Sequence, residues 1–400
     1  MRTSAPALSL FCLLALSVSG APAVAGDPKG SPAPAPPSKA KLHIPEAVEM
    51  GLAIMSGSQM GPRDGWFHDA ELRYDWAWLA GRFDRDQDSA ISFQELDGPQ
   101  SLFDRLDRNR DGKIRQDDLD WSDRTPFAQE TMLTNAQFRK FDRDFDGRIS
   151  RKEWLAFFDR TTEGIEELAL DDFREAFAPP SPRSAPPRQA GPSNDGPTPQ
   201  ILMTGLIRSE IGSYCEGPRV NDPAPDFTLK TQDGSQTVTL SKLRGKPVVL
   251  VFGNITCGPF RGRYTNVDHM QKRYGDKVKF LAVYVREAHP TGGWRMESND
   301  RVGVTFAQPG DFATRKGVAV QACTLLKTTM PLLVDEMDDR VGHAYSGMPS
   351  RLYVIDAEGK VAYKAGRGPF GFKPGEMEQA LAMTLLDAQA KADSKTAAKP

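Results

Sequence analysis

The sequence predicts a multidomain chain, an all-α module followed by an α/β domain, and three observations lead there. Its 400 residues exceed what one hydrophobic core usually serves, since cores stop growing at about 250–300 residues. Prolines gather in two runs, five within 26–41 and eight within 178–200, and such segments lack the apolar groups that would offset their ordering entropy. These runs bracket an acidic block of helical periodicity, 62–177, and a block, 201–390, in which buried apolar runs alternate with helical patterns. A hydrophobic fraction of 39%, a charged fraction of 26% and a net charge of −2 exclude a wholly disordered chain, a multi-span membrane protein and a polybasic nucleic-acid binder.

The first residues combine a basic start at Arg2, an apolar run from Leu8 to Val18 and the small-residue site Ala23-Val24-Ala25. That pattern is expected of a signal peptide over 1–25, and hence of export to the periplasm or the medium. The apolar run is shorter than the ~20 residues of a membrane span, so no span is expected after cleavage. Residues 26–61 read as a Pro/Ala-rich linker and lead-in, 178–200 as a second Pro-rich linker, and 391–400 as a disordered tail. A connection of some two dozen Pro-rich residues argues against rigid communication between the blocks.

Within 62–177 three segments repeat one spacing: Asp84-x-Asp86-x-Asp88 to Glu95, Asp107-x-Asn109-x-Asp111 to Asp118, and Asp142-x-Asp144-x-Asp146 to Glu153. A hard cation needs 6–8 oxygens at about 2.3–2.6 Å, which alternate side chains, one backbone carbonyl and a terminal bidentate acid supply. Those carbonyls fall on Ala90, Lys113 and Arg148. The segments resemble EF-hand loops, and up to three calcium ions are expected. Ser89 replaces the turn glycine of the first loop, and Asp118 is one methylene shorter than the usual glutamate, which is expected either to weaken bidentate binding at the second or to shift its preference toward magnesium. Loop starts at 84 and 107 leave room for one shared helix of about three turns, so the second and third hands are expected to pair. The amphipathic stretch Ile165–Phe177 closes this core.

In the later block, Val248–Phe252 reads as a buried strand, Gly258 onward as a helix opened by Pro259, and 278–285 as a second buried strand. A helix near 311–325, a strand at 331–334, a short helix near 339–346, the pair RLYVID and KVAYK, and a closing helix from Pro374 follow. That order suits a thioredoxin-like sheet. Cys257 sits at the strand-to-helix junction, where free N–H groups and the helix dipole favour thiolate, so it is a candidate nucleophile. Pro349 occupies the place of the cis-proline that faces the active cysteine in such folds. Phe260 stands where a CxxC pair would carry its second cysteine, which excludes dithiol exchange within that motif. Cys215 and Cys323 are possible resolving thiols, or could bridge each other.

The motifs FGNITCGPF, YVREAHPTGGW, PLLVD and MPSRLYVIDAEGKVAYKAGRGPFGF closely resemble the iodothyronine deiodinases, from about Pro247 to Leu381. The resemblance implies Cys257, in place of selenocysteine, as the nucleophile that attacks halogen on an aromatic ring, with an external thiol reductant regenerating it. It implies Glu287 and His289 as hydrogen-bonding or proton-supplying groups and Trp294 as support for their loop, with Thr256 and Pro259 flanking the cysteine. Ile255 stands where several members carry a second cysteine, and Gln308-Pro309 roughly where vertebrate members carry a histidine. The substrate class is a halogenated aromatic or a related oxidant. A peroxide-reducing thiol enzyme is a further expectation, although Asn254 replaces the threonine of that class. A calcium-binding interaction protein without catalysis is another.

Overall fold

Apolar residues four apart, Met50 and Ile54, build the first helix, α1 (Glu46–Met55), where the sequence suggested only a lead-in. Both side chains are fully buried. In the computed structural model, residues 45–61, 67, 69–122, 124–162, 164–178 and 196–397 are described. The expected signal peptide and most of both Pro-rich runs lie outside them. No helix among the described residues is long and apolar enough to cross a membrane.

Strand β1 (Glu71–Leu72) leads into α2 (Trp76–Phe83), whose Asp75 cap accepts the Trp78 N–H at 2.8 Å. After the first loop come β2 (Ile91–Ser92), α3 (Phe93–Leu96), α4 (Gln100–Leu106) and, in the second loop, β3 (Lys113–Ile114). The single shared helix expected here is two. Asp97, at φ 48°, ends α3, and Gly98-Pro99 intervene because proline cannot continue the helical hydrogen-bond ladder. The break lets the first and second loops pair: β2 and β3 are antiparallel with Ile91 opposite Ile114. This corrects the expectation that the second and third hands pair. Helix α5 (Pro126–Phe141), with Pro126 in its first turn, is followed by α6 (Arg151–Thr162) and α7 (Leu170–Phe177). Rings of Phe141, Phe157 and Phe177 pack with centroids 4.2–5.9 Å apart, so the 165–177 stretch closes this cluster, from Leu170 rather than Ile165.

The remaining elements are α8 (Pro199–Ile207), β4 (Thr228–Thr231), β5 (Thr237–Thr239), β6 (Val248–Gly253), α9 (Gly258–Tyr274), β7 (Lys279–Tyr284), α10 (Glu297–Arg301), α11 (Phe312–Leu326), β8 (Leu332–Val334), α12 (Arg340–Ala344), β9 (Arg351–Ile355), β10 (Val361–Lys364) and α13 (Pro374–Ala397). Helix α13 runs through most of 391–400, expected as a disordered tail, where Ala and Lys are good helix formers. Eight strands form one sheet in the order β1-β10-β9-β6-β7-β8-β4-β5. Central β6 pairs parallel with β7 and antiparallel with β9, and every residue of it is buried, as a strand covered on both faces requires. With α11 packed on β8, α13 on β9 and β10, and α9 against both helices, this is a thioredoxin-like sheet preceded by an EF-hand region.

The sheet draws on both blocks. Glu71 and Leu72 of β1 pair with Lys364 and Tyr363 of β10, and α1 packs on α8 through Met50, Ile54, Leu202 and Leu206. Helix α4 lies on α13, where Trp121 Nε1 donates to Gln379 Oε1 at 2.8 Å and Gln379 Nε2 to the Asp118 carbonyl at 3.1 Å. The EF-hand-like loops and the sheet thus lie within one compact unit.

Candidate active site and calcium loops

Gly253 is the last residue of β6, and only glycine fits there, because a Cβ would stand 2.2 Å from the Phe260 ring. Asn254 to Cys257 then turn the chain into α9. The Asn254 side chain organises this turn: Oδ1 accepts from the N–H of Cys257 at 3.0 Å and of Ala288 at 3.2 Å, and Nδ2 donates to the Pro349 carbonyl at 3.1 Å. One buried amide therefore joins the cysteine turn, the Glu287 loop and the Pro349 loop. The Met348–Pro349 peptide is cis, as expected; the Gly368–Pro369 peptide is cis as well.

Cys257 caps α9 and is 1% exposed. Burial, which disfavours a thiolate, pushes its thiol above the ordinary range; the Phe260 N–H, the Ser350 hydroxyl and Arg261 pull the other way, and Glu287 adds to the rise. The helix-terminus effect expected from sequence is present but outweighed. Arg261, buried in the first turn of α9, donates to the Ile255 carbonyl at 2.7 Å and to Asn299 Oδ1 at 3.1 Å. Asn299 in turn donates to the Thr256 carbonyl at 2.7 Å.

Glu287 is fully buried. Its Oε2 accepts the Thr256 N–H at 3.1 Å and lies 2.7 Å from Thr256 Oγ1; its Oε1 accepts the Tyr284 hydroxyl at 2.5 Å. Burial raises its pKa, and these donors only partly oppose the rise. Thr256 Oγ1 also accepts the His289 N–H at 3.1 Å. The His289 ring stands edge-on to Trp294, centroids 4.6 Å apart, with Nδ1 3.0 Å from the Trp294 carbonyl. Gln308, in the position noted above, clamps the Glu287 backbone, accepting its N–H at 2.9 Å and donating to its carbonyl at 3.1 Å.

The structure thus brings Thr256, Cys257, Glu287, His289, Trp294 and Pro349 into one connected region, with Pro259 in the first turn of α9. Cys215, Cys257 and Cys323 are all free thiols, Cys215 exposed and Cys323 half-buried. The bridge between Cys215 and Cys323 is not formed. Sequence reasoning did not assign roles to Tyr284, Asn299 and Ser350. Ser350 adjoins Pro349, which was the available signal; Tyr284 and Asn299 show their parts only through contacts across the fold.

In the EF-hand region, carboxylate oxygens of Asp84, Asp86 and Asp88, and of Asp142, Asp144 and Asp146, each lie within 4.8 Å of one another. Asp84 Oδ1 is buried without a hydrogen-bond partner, as suits an oxygen aimed at a cation. Burial beside Asp144 and Asp146 pushes the Asp142 carboxyl up to about 6. Ser89 takes φ 63°, the left-handed region that glycine fills in the other two loops at Gly112 and Gly147. Asp118, fully buried, accepts the backbone N–H groups of Arg108, Asn109 and Arg115. These donor sets suit a hard divalent cation.

Fold and site together define a thioredoxin-like protein with one cysteine at the head of a helix, beside a set of EF-hand loops. More particularly, residues 209–384 match the family model for iodothyronine deiodinase, and residues 100–119 and 134–158 match that for the EF hand. The first loop lies outside those matches. The chain is 35% identical over 166 residues to a thyroxine 5-deiodinase of Gallus gallus, covering 41% of this chain and 62% of that protein. It is 33% identical over 162 residues to the Ovis aries thyroxine 5-deiodinase, covering 39% and 52%. Against a type I iodothyronine deiodinase of Xenopus laevis it is 29% identical over 159 residues, covering 40% and 61%. It spans about half to three-fifths of the length of these relatives. A solved thiol:disulfide interchange protein of the thioredoxin family from Chlorobium tepidum is 19% identical, with TM-score 0.30, covering 42% of this chain and 98% of that one. Residues 209–384 are thus similar in sequence to the iodothyronine deiodinases.

Proposed function

We propose that the protein is an exported, calcium-binding, thiol-dependent reductase that removes halogen from an aromatic substrate, with Cys257 as nucleophile. The observation that carries this reading is the direct link, through Thr256, between the Cys257 turn and a buried carboxyl, Glu287. In the reaction, the Cys257 sulfur takes the halogen from the ring carbon, and the electron pair of the broken bond takes a proton. Glu287, whose burial lets it hold a proton to higher pH than an ordinary carboxyl, is the nearby store for that proton. A first external thiol attacks the sulfenyl halide, halide leaves, and a second thiol frees Cys257 while the two leave as a disulfide. Asn254 and Gln308 act as positioning residues, holding the Cys257 turn and the Glu287 backbone.

Calcium is proposed at the loops 84–95, 107–118 and 142–153, with magnesium an alternative at the second because Asp118 is short. Export is supported by the first 25 residues and is tested by sequencing the mature N-terminus. The catalytic reading is tested by assaying iodide release from iodothyronine and iodotyrosine with dithiothreitol, alongside peroxide consumption. Wild type should release iodide and Cys257→Ser should fall at least 100-fold, as loss of a covalent nucleophile does. Peroxide consumption without iodide release would replace the reading with the peroxidase one.

A further inference from the structure

In each of the three loops the fifth-position aspartate is held alike. One oxygen accepts the backbone N–H two residues on: Ala90 N to Asp88 Oδ1 at 2.8 Å, Lys113 N to Asp111 Oδ1 at 2.9 Å, and Arg148 N to Asp146 Oδ1 at 2.8 Å. The other oxygen meets a cation. Lys113 Nζ lies 2.9 Å from Asp88 Oδ2, Arg115 pairs with Asp111 Oδ2, and Lys327 Nζ lies 2.5 Å from Asp146 Oδ2. The source of that cation differs. In the first two loops it comes from the β2–β3 pair of loops itself, whereas in the third it comes from 181 residues downstream, just past the end of α11.

The rest of the third loop faces the same way. Arg148 Nη2 donates to the Leu326 carbonyl at 3.0 Å and pairs with Asp268 at 3.4 Å. Gly147, at φ +77°, lies so close to α9 that a Cβ would stand 2.4 Å from the Gly262 carbonyl oxygen. Lys327 is itself fixed at its backbone: it takes φ 51° as the cap of α11, with its N–H on the Cys323 and Thr324 carbonyls. Where an EF-hand loop ordinarily faces a second loop, this one faces α9 and the end of α11.

We infer that the thioredoxin-like body serves as the partner lobe of the third loop, and that Lys327 sets the calcium affinity of that loop by competing for the Asp146 carboxylate. This rests on reading 142–153 as a calcium loop. A carboxylate already neutralising an ammonium offers less charge to a dication, and the ammonium repels an ion held beside it. Coupling of this kind is reciprocal: an ion in the loop loosens the hold of Asp146 on Lys327, and with it the contact at the end of α11. Because the Lys327 side chain is 55% exposed, the effect is moderate and screened by salt.

The test uses the full chain carrying Glu95→Gln and Asp118→Asn, which remove the terminal carboxylate from each of the other two loops. Calcium is titrated calorimetrically into this protein and into the same protein with Lys327→Met. The Met variant should bind roughly three- to tenfold tighter at low ionic strength, with the gap narrowing in salt. Added calcium should also speed amide hydrogen exchange at 323–330 in the Lys327 protein, and should not do so in an Asp146→Asn variant. Equal or weaker binding by the Met variant overturns the competition and leaves the calcium reading standing. Absence of calcium binding in both proteins, with folding intact by circular dichroism, overturns the inference and the calcium reading together.

Discussion

At Cys257 two local influences oppose each other, and burial prevails. The helix terminus, the Phe260 N–H and Arg261 favour the thiolate, but a sulfur 1% exposed loses more hydration than they return. Alkylation of this cysteine by iodoacetamide should therefore keep rising with pH through the ordinary thiol range of about 8.5. Once it has released its proton, Glu287 contributes to the rise by its charge. Glu287→Gln should accordingly move the midpoint of Cys257 alkylation to lower pH, followed by mass spectrometry of the Cys257 peptide; a midpoint unmoved or raised would refute this electrostatic role. The residue-level reading from sequence found the cysteine because a strand-to-helix junction is written in consecutive residues. It left Tyr284, Asn299 and Ser350 without roles because their contacts with the Cys257 turn join segments far apart in the chain. Nothing in the pattern around Asn254 announces that its side chain also meets Ala288 and Pro349.

Among the elements, spacing was a good guide to existence and a poor one to pairing. Strands β6, β7 and β9 and helices α9 and α11 fall where apolar runs and helical periodicity place them, since burial of one face dictates those patterns. Loop pairing depends instead on how the chain bends at Asp97-Gly98-Pro99, and there the length argument for a single helix misled. Helix α13 shows a similar limit. Its apolar face was legible, but the company of Glu376 was not: this buried carboxyl bonds the Tyr363 hydroxyl at 3.2 Å and is pushed by burial up to about 7. The native state thus holds a proton between the unfolded value, about 4.3, and about 7, while the unfolded chain has released it. Stability from this group is full below that window and falls as pH rises through it. Glu376→Gln, which stays neutral, should flatten the decline in melting temperature between pH 5 and 8. An equally steep decline in the variant would show that other groups govern it.

For the whole molecule, the decisive contacts are those that cross between blocks. Glu46, on the first turn of α1, is 7% exposed, pairs with Arg367 and lies 3.8 Å from Arg351, both arginines buried beneath it. Breaking such a buried pair typically costs about 3–5 kcal/mol, so α1 is firmly held to the sheet body. Strand β1 adds a second attachment, through its pairing with β10 and through Lys364 Nζ at 3.0 Å from Glu71. The composition that marked Pro-rich runs suggested modules strung in series, because such runs say nothing about which distant surfaces meet.

The position of α1 and β1 gives this a topological meaning. Elements from both sides of the EF-hand segment complete the same body, so that segment is an insertion, spliced into a domain whose opening helix and edge strand precede it. Covalent continuity through 179–195 is then dispensable for holding the halves together. A protease site engineered into that stretch and cut to completion should yield two fragments that still elute as one species from a gel-filtration column. They should part only in denaturant, whereas separation under native conditions would refute the insertion. The molecule should behave as a split protein that reassembles, its N-terminal fragment delivering both the EF-hand-like loops and the final strand of the sheet.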